Sequence, residues 1–227
     1  IAVMGAAYHA KNPENSPAFF GEFDEGEFRF LNGRTVKILR TNGFSAANEL
    51  EALLAGTMER ITDSKSRLFY RDATPLNWIN YNGQVVAIDL GSTSYRQPGF
   101  EAIALFETPN TGFETLNEEQ RTELLKGYKE ALQSHGADVG SDEEFLRMYG
   151  LASVIKNASG TASRMDHIAK NVAAIETGDR VATERLPGNI EGRNFHRDRT
   201  LAALTRTEDY FSNKAAYSTV RDAFAAL

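Results

Sequence analysis

Asp72, Asn77 and Asp89 stand in two short runs, Tyr70-Arg71-Asp72-Ala73-Thr74-Pro75-Leu76-Asn77 and Ala87-Ile88-Asp89-Leu90-Gly91. The pattern is D-x-x-x-x-N, then a hairpin signal, then D-L-G. Phosphoryl transfer needs such a set. One carboxylate orients the attacking hydroxyl and accepts its proton, while an amide and a second carboxylate hold the magnesium that bridges the nucleotide phosphates. Asp72 is therefore the candidate catalytic residue. Asn77 and Asp89 are candidate metal ligands and, through the metal, candidate contacts of the nucleotide. Magnesium takes oxygen ligands and keeps several waters, so two protein ligands plus phosphate oxygens suffice. Taken singly, an Asp before a turn is turn chemistry. The chemical reading rests on the three residues together, in this order and spacing.

The surrounding residues supply elements that could hold them. Leu68-Phe69-Tyr70 is a short apolar run leading into the first loop. Trp78-Ile79-Asn80 and Gln84-Val85-Val86-Ala87-Ile88 read as strands around Tyr81-Asn82-Gly83, and Asn-Gly is a strong hairpin signal because both turn residues tolerate positive φ. A loop, a hairpin and a second loop bring Asp72, Asn77 and Asp89 to one edge. Upstream, Ile1, Met4 and Tyr8 share a helical face, and residues 12–20, with Pro13 and Pro17, read as irregular. Phe28, Phe30, Val36 and Ile38 alternate around Asn32-Gly33, which predicts a second hairpin over 27–38. A helix is expected from Ser45 to about Arg60, with Leu50, Leu53, Leu54 and Met58 as its stripe. Asn117-Glu118-Glu119-Gln120 and Ser141-Asp142-Glu143-Glu144 read as capping boxes, opening helices to about Ser134 and Lys156. Further helix is expected over 163–176 and 199–227, broken near Ser212-Asn213. Residues 180–194, with Pro187, Gly188 and Gly192, read as a mobile loop.

On these runs the chain resembles the aminoglycoside phosphotransferase-like small-molecule kinases. The family's catalytic loop commonly reads H-G-D-x-x-x-x-N and its metal loop D-F-G or D-W-x. Here Tyr70 and Arg71 replace the His and Gly, and Leu90 replaces the aromatic, while the Asp, the Asn and the second Asp are kept. Pro98-Gly99-Phe100-Glu101-Ala102-Ile103-Ala104 looks like the family's P-x-x-D-L-A helix start, with Glu101 for Asp. Leu124-Leu125-Lys126-Gly127-Tyr128 and Glu144-Phe145-Leu146-Arg147-Met148-Tyr149 resemble its later helices, and Met4-Gly5-Ala6-Ala7-Tyr8-His9-Ala10 an earlier one. The resemblance covers most of the chain. It implies an α+β fold: the mainly helical carboxy-terminal lobe of a protein-kinase-like fold with a short catalytic β-hairpin. Residues 1–115 would form the catalytic core and 116–227 a helical substrate subdomain.

The amino-terminal lobe, with its glycine-rich phosphate loop and strand lysine, has no counterpart in these residues, so the chain reads as a piece of a longer protein. The resemblance implies ATP and Mg2+ as cofactors, a small hydroxylated substrate such as an aminoglycoside, choline or a sugar, and ATP-dependent transfer of the γ-phosphoryl group. The alternative is a catalytically idle lobe that binds a nucleotide or a partner.

Composition narrows the classes. The 227 residues are 41% hydrophobic and 10% aromatic, a globular composition. With 31 acidic and 25 basic residues the net charge is −6, which argues against a dedicated nucleic-acid binder. The sequence has no cysteine, which removes disulfides, thiolate metal sites and cysteine nucleophiles. No apolar run reaches the roughly 18 residues of a membrane span, and residues 1–8 lack the basic region of a signal peptide. A cytoplasmic location is the resulting expectation.

Glu101, Glu107 and Glu114 are candidates for an amine-bearing substrate, set against the ordinary reading of each as a solvated charge. Arg71 could pair with a phosphate or a carboxylate, since its fork suits both, or equally point at the helix behind the loop. Thr74 reads as structural, and Tyr95-Arg96 as loop or as a cover on the substrate side. His9, His135, His167 and His196 have no ligand-spaced partner; Asp166 and His167 are neighbours that point apart on a helix.

Overall fold

The computed structural model describes residues 25–62, 67–70, 77–87, 93–96, 102–103, 106–109, 115–134 and 139–227. The expected helix over 1–8, the irregular stretch 12–20, and Asp72 and Asp89 lie outside the described residues. The described residues are mainly helical, with four short strands. They fall into two compact units, one within Ile61–Ala152 and one formed by Glu25–Arg60 and Ser153–Leu227.

The first unit holds the strands. β1 (Arg67–Tyr70) pairs antiparallel with β4 (Thr93–Arg96), Arg67 opposite Arg96 and Tyr70 opposite Thr93. Nested between them in sequence, β2 (Trp78–Tyr81) pairs with β3 (Gln84–Ala87), Trp78 opposite Ala87 and Tyr81 opposite Gln84. The expected Asn-Gly hairpin is thus present. Asn82 (φ 52°) and Gly83 (φ 80°) both take positive φ, the two-residue geometry whose twist matches the strands. Asn80 Oδ1 accepts the Gly83 N–H at 3.0 Å and latches the turn. Tyr95 and Arg96 belong to a strand, and not to the loop that was the simpler expectation.

Both helices expected from capping boxes are present, the first with both bonds of its box and the second with the serine cap. At α3 (Glu118–Ser134) Asn117 Oδ1 accepts the Gln120 N–H at 2.9 Å, and Gln120 Oε1 accepts the Asn117 N–H at 3.0 Å. At α4 (Asp142–Glu176) Ser141 Oγ accepts the Glu144 N–H at 3.1 Å. Arg121, Leu125, Tyr128 and Leu132 form the buried stripe of α3, and Phe145, Met148 and Tyr149 that of the first turns of α4. The Tyr128 and Phe145 rings lie 6.4 Å apart.

Lys129 of α3 is buried and bonds Asp142, whose side chain is largely exposed. The hydrogen bond from Lys129, and then its charge, hold the Asp142 carboxyl below the ordinary aspartate range. A carboxylate with a depressed folded-state pKa adds stability above its unfolded value and loses it as pH falls through the folded one. The urea midpoint of the protein should therefore drop with acid across that window, and the drop should be smaller in Lys129→Met; equal acid slopes would remove the pair from the account.

The second unit begins with α1 (Glu25–Thr41), which corrects the hairpin expected over 27–38. The buried residues Asn32, Thr35, Val36 and Leu39 recur at three- and four-residue steps. That is a helical face, whereas a strand would bury every second residue. α1 ends where Gly43 takes φ 81°, with Gly43 N–H to Arg40 C=O at 3.2 Å and Phe44 N–H to Leu39 C=O at 2.9 Å. These two bonds make a Schellman cap. α2 (Ala47–Thr62) matches the helix expected from Ser45 to Arg60 within two residues.

α4 is one helix of 35 residues, and not two helices broken between 156 and 163. α5 (Arg180–Thr207) is helical throughout, which overturns the mobile loop expected over 180–194. The pairing of the two helices explains both corrections. Asn157 Oδ1 lies 2.9 Å from His196 Nδ1, and Arg164 donates to Asn189 Oδ1 at 2.8 Å. Seven residues forward on α4 match seven residues back on α5, as antiparallel helices one heptad apart require. Two glycines are notches in this seam: a Cβ on Gly160 would lie 2.5 Å from the His196 ring, and one on Gly192 2.8 Å from Arg164 Nε. Pro187 removes one helix hydrogen bond. Both Pro187 and Thr183, one turn back, are exposed, so water can reach the released carbonyl. Between the helices Gly178 (φ 88°) closes α4 with bonds to Ile175 and from Asp179 to Ala174, and Asp179 then caps α5 through Val181 and Ala182 N–H.

A one-turn 3-10 helix (Glu208–Tyr210) and α6 (Lys214–Ala225) end the chain. The break falls at 211–213, where one was expected, and Asn213 Oδ1 caps α6 through Ala216 N–H at 3.0 Å. Leu39, Leu50, Leu54, Leu204, Val220 and Phe224 are buried in this unit, and Phe44 meets Phe224 with ring centroids 4.7 Å apart.

Candidate functional site

Of the three residues that carry the chemical reading, Asn77 is described. It is half-buried and immediately precedes β2. Its place follows from the hairpin. The tight Asn82-Gly83 turn fixes Tyr81 against Gln84, and the register then runs back to Trp78 against Ala87. Trp78 and Ala87 therefore form the end of the hairpin opposite the turn, and Asn77 immediately precedes it. Asp89 follows Ala87 by two positions in sequence and Asp72 precedes Asn77 by five; both lie outside the described residues, as do Arg71, Thr74, Glu101 and Glu114.

The Asn77 side chain supplies an amide oxygen, the donor class that magnesium accepts. A carboxamide at a strand start, with a carboxylate in the sequence just beyond the paired strand, fits a hard cation with phosphate oxygens completing its shell. It does not fit a soft or borderline metal that needs nitrogen or sulfur. Among the described residues no group of three or more His, Asp or Glu could hold a metal by itself. His167 is exposed on α4, and Asp166 pairs with Lys170 at 2.7 Å. His196 is a buried seam residue bonded to Asn157.

Glu107 departs from its expected role. Its side chain is fully buried and accepts a hydrogen bond from the Tyr149 hydroxyl of α4. It is neither a solvated charge nor an accessible carboxylate for an amine. Beside it, the fully buried Arg121 of α3 donates to Phe106 C=O at 2.7 Å and to Leu116 C=O at 3.4 Å. Arg121 and Tyr149 together tie residues 106–107, which follow the D-L-G run in sequence, to both α3 and α4. Buried polar groups need such partners. One signal for Arg121 was legible: it occupies the position four before Leu125 on the apolar stripe of α3. Glu107 closes the apolar run Ile103-Ala104-Leu105-Phe106, and a carboxylate there invites a buried partner, but nothing in the sequence points to Tyr149, 42 residues away.

A shallow groove along α3 is lined by Leu116, Gln120, Glu123, Leu124, Gly127 and Tyr128. Among the described residues no helix is long and apolar enough to cross a membrane. No protein-family model matches the sequence, and no curated protein is significantly similar to it.

Proposed function

We propose that the protein is an ATP-dependent phosphotransferase of the aminoglycoside phosphotransferase-like kind, acting on a hydroxyl of a small molecule. The observation that carries this reading is the β2–β3 hairpin. Its register supports a site in which D-x-x-x-x-N enters, and D-L-G leaves, one end of the same two strands. An isolated motif match has no such frame.

In this reading Asp72 accepts a hydrogen bond from the substrate hydroxyl, aims its oxygen in line with the γ-phosphorus, and takes the proton as the new P–O bond forms and the bond to the β,γ-bridging oxygen breaks. ADP is the leaving group. Asn77 and Asp89 would hold the magnesium, which supplies charge neutralisation at the β- and γ-phosphates. The transition state is loose, so positioning and charge stabilisation carry the rate, and a strong base is not needed. With Glu107 buried, Glu101 and Glu114 remain as candidate amine contacts.

Tyr70-Arg71, in place of the family's His-Gly, favours a second reading: a kinase-like lobe that binds a nucleotide or partner without transferring phosphate. A thermal shift of the protein in its natural full length, with and without Mg·ATP, followed by ADP release against a panel of hydroxylated amines and sugars, separates the two. A ligand at a hundred times its Kd adds about 2.7 kcal/mol to stability, so binding gives a clear rise in Tm. Acceptor-dependent ADP release is the expected result. A rise in Tm with no ADP release for any acceptor supports the idle lobe, and no rise at all removes the nucleotide site.

A further inference from the structure

We infer that the Asn82-Gly83 tip is a latent deamidation site, held closed in the folded chain by the side chain of Asn80. An Asn followed by Gly is the dipeptide most open to this reaction, because Gly places no side chain in the way. The Gly83 backbone nitrogen gives up its proton to base and attacks Cγ of Asn82. The new C–N bond closes a succinimide, and the bond to Nδ2 breaks. The side-chain nitrogen leaves as ammonia, having regained a proton, and water opens the ring to Asp or to a β-linked isoaspartate. No reagent beyond water and base is consumed.

Three Asn-Gly pairs occur in the chain, and the fold treats them differently. Asn32-Gly33 lies inside α1, with Asn32 buried. At Asn42-Gly43 the leaving amide donates to Ile38 C=O at 2.9 Å, and the attacking nitrogen donates to Arg40 C=O at 3.2 Å. Both reacting groups are engaged there by main-chain atoms of α1, which no single substitution removes. At the hairpin tip Asn80, Asn82 and Gly83 are all exposed to water and base. The attacking Gly83 N–H is held by one acceptor, Asn80 Oδ1, at 3.0 Å. A donated N–H is less acidic, and the bond fixes it in the tight-turn conformation with Asn82 at φ 52°. Asn80 thus guards the site through a single side-chain oxygen. The reaction has a structural consequence as well. An isoaspartate adds a backbone atom to a two-residue loop and breaks the match between Tyr81 and Gln84 that sets the strand register.

The test is peptide mapping of the full chain held native at mildly alkaline pH, reading amide-to-acid conversion at Asn82 and at Asn42. The wild type should convert at Asn82 several-fold more slowly when folded than when unfolded in urea. Asn80→Ala should raise the native rate at Asn82 several-fold and leave Asn42 unchanged. Asn80→Asp, which keeps the acceptor oxygen, should stay as slow as wild type. The inference is overturned if Asn80→Ala converts no faster than wild type, if Asn80→Asp is as fast as Asn80→Ala, or if Asn42 accelerates in step with Asn82, which would mean general loosening and no specific guard.

Discussion

Replacing Asp89 with alanine should lower magnesium-dependent ADP release by more than about a hundredfold, since even groups outside a metal's first ligands are worth roughly 10–100-fold in affinity or activity. The proposed site has two protein ligands, Asn77 and Asp89, and only Asp89 is charged. Alanine there removes the one anionic ligand and leaves the amide of Asn77 to compete with water. Asp72→Asn should act differently. It keeps the size and one acceptor oxygen but cannot take the proton, and general-base groups are worth roughly 10²–10⁴-fold. The Asp72→Asn protein should therefore keep the Tm rise with Mg·ATP and lose turnover, whereas Asp89→Ala should lose both. The Tm of each variant without ligand controls for folding. Wild-type turnover in Asp89→Ala would remove the metal assignment. Parallel loss of binding in Asp72→Asn would make Asp72 a structural residue.

The hairpin beside that site was legible because one dipeptide decides it. Asn82-Gly83 prefers positive φ at both positions, and the strands on either side had only to follow. The starts of α3 and α4 were legible for the same reason, as side chains at fixed three-residue spacing satisfy free N–H groups locally. The failures came where a local signal competed with tertiary packing. Phe28, Phe30, Val36 and Ile38 match a period of two, and Asn32-Gly33 looked like their turn. Yet among the described side chains of α1 the buried ones are Asn32, Thr35, Val36 and Leu39, two of them polar, and a hydrophobic pattern does not see those two. The same holds for Glu107, Arg121 and His196, buried polar groups that each have a partner 15 to 42 residues away. The three candidate residues, Asp72, Asn77 and Asp89, rest on order and spacing, and only Asn77 is among the described residues. The contacts that tie residues 106–107 to two helices could not be named from the sequence.

Gly160 offers the sharpest test of that packing account. A glycine in mid-helix is less favourable than alanine by roughly 0.5–1 kcal/mol, because it has more freedom to lose. Where space is open, alanine should therefore stabilise. Gly127 on α3 is exposed with nothing near its Cβ position, so Gly127→Ala should raise stability by about that amount. Gly160 has the same propensity term and the opposite surroundings. Its Cβ would sit 2.5 Å from Cγ of the buried His196, whose ring is held by Asn157. The ring cannot retreat without breaking that bond, so the helices must part, and overpacking of this kind costs about 1–3 kcal/mol. For a chain of this size each kcal/mol lowers Tm by roughly 2–4 °C. His196→Ala removes the obstacle and also the partner of Asn157, so it should destabilise by itself. In the double variant the alanine methyl enters the space left by the ring, and the total loss should be smaller than the sum of the two single losses. A coupling of about 0.5–3 kcal/mol is expected for residues in contact. Strict additivity, or a Gly160→Ala protein as stable as Gly127→Ala, would mean that the seam between α4 and α5 does not depend on this notch. The long continuous helices would then need another explanation than the polar pairs that now align them.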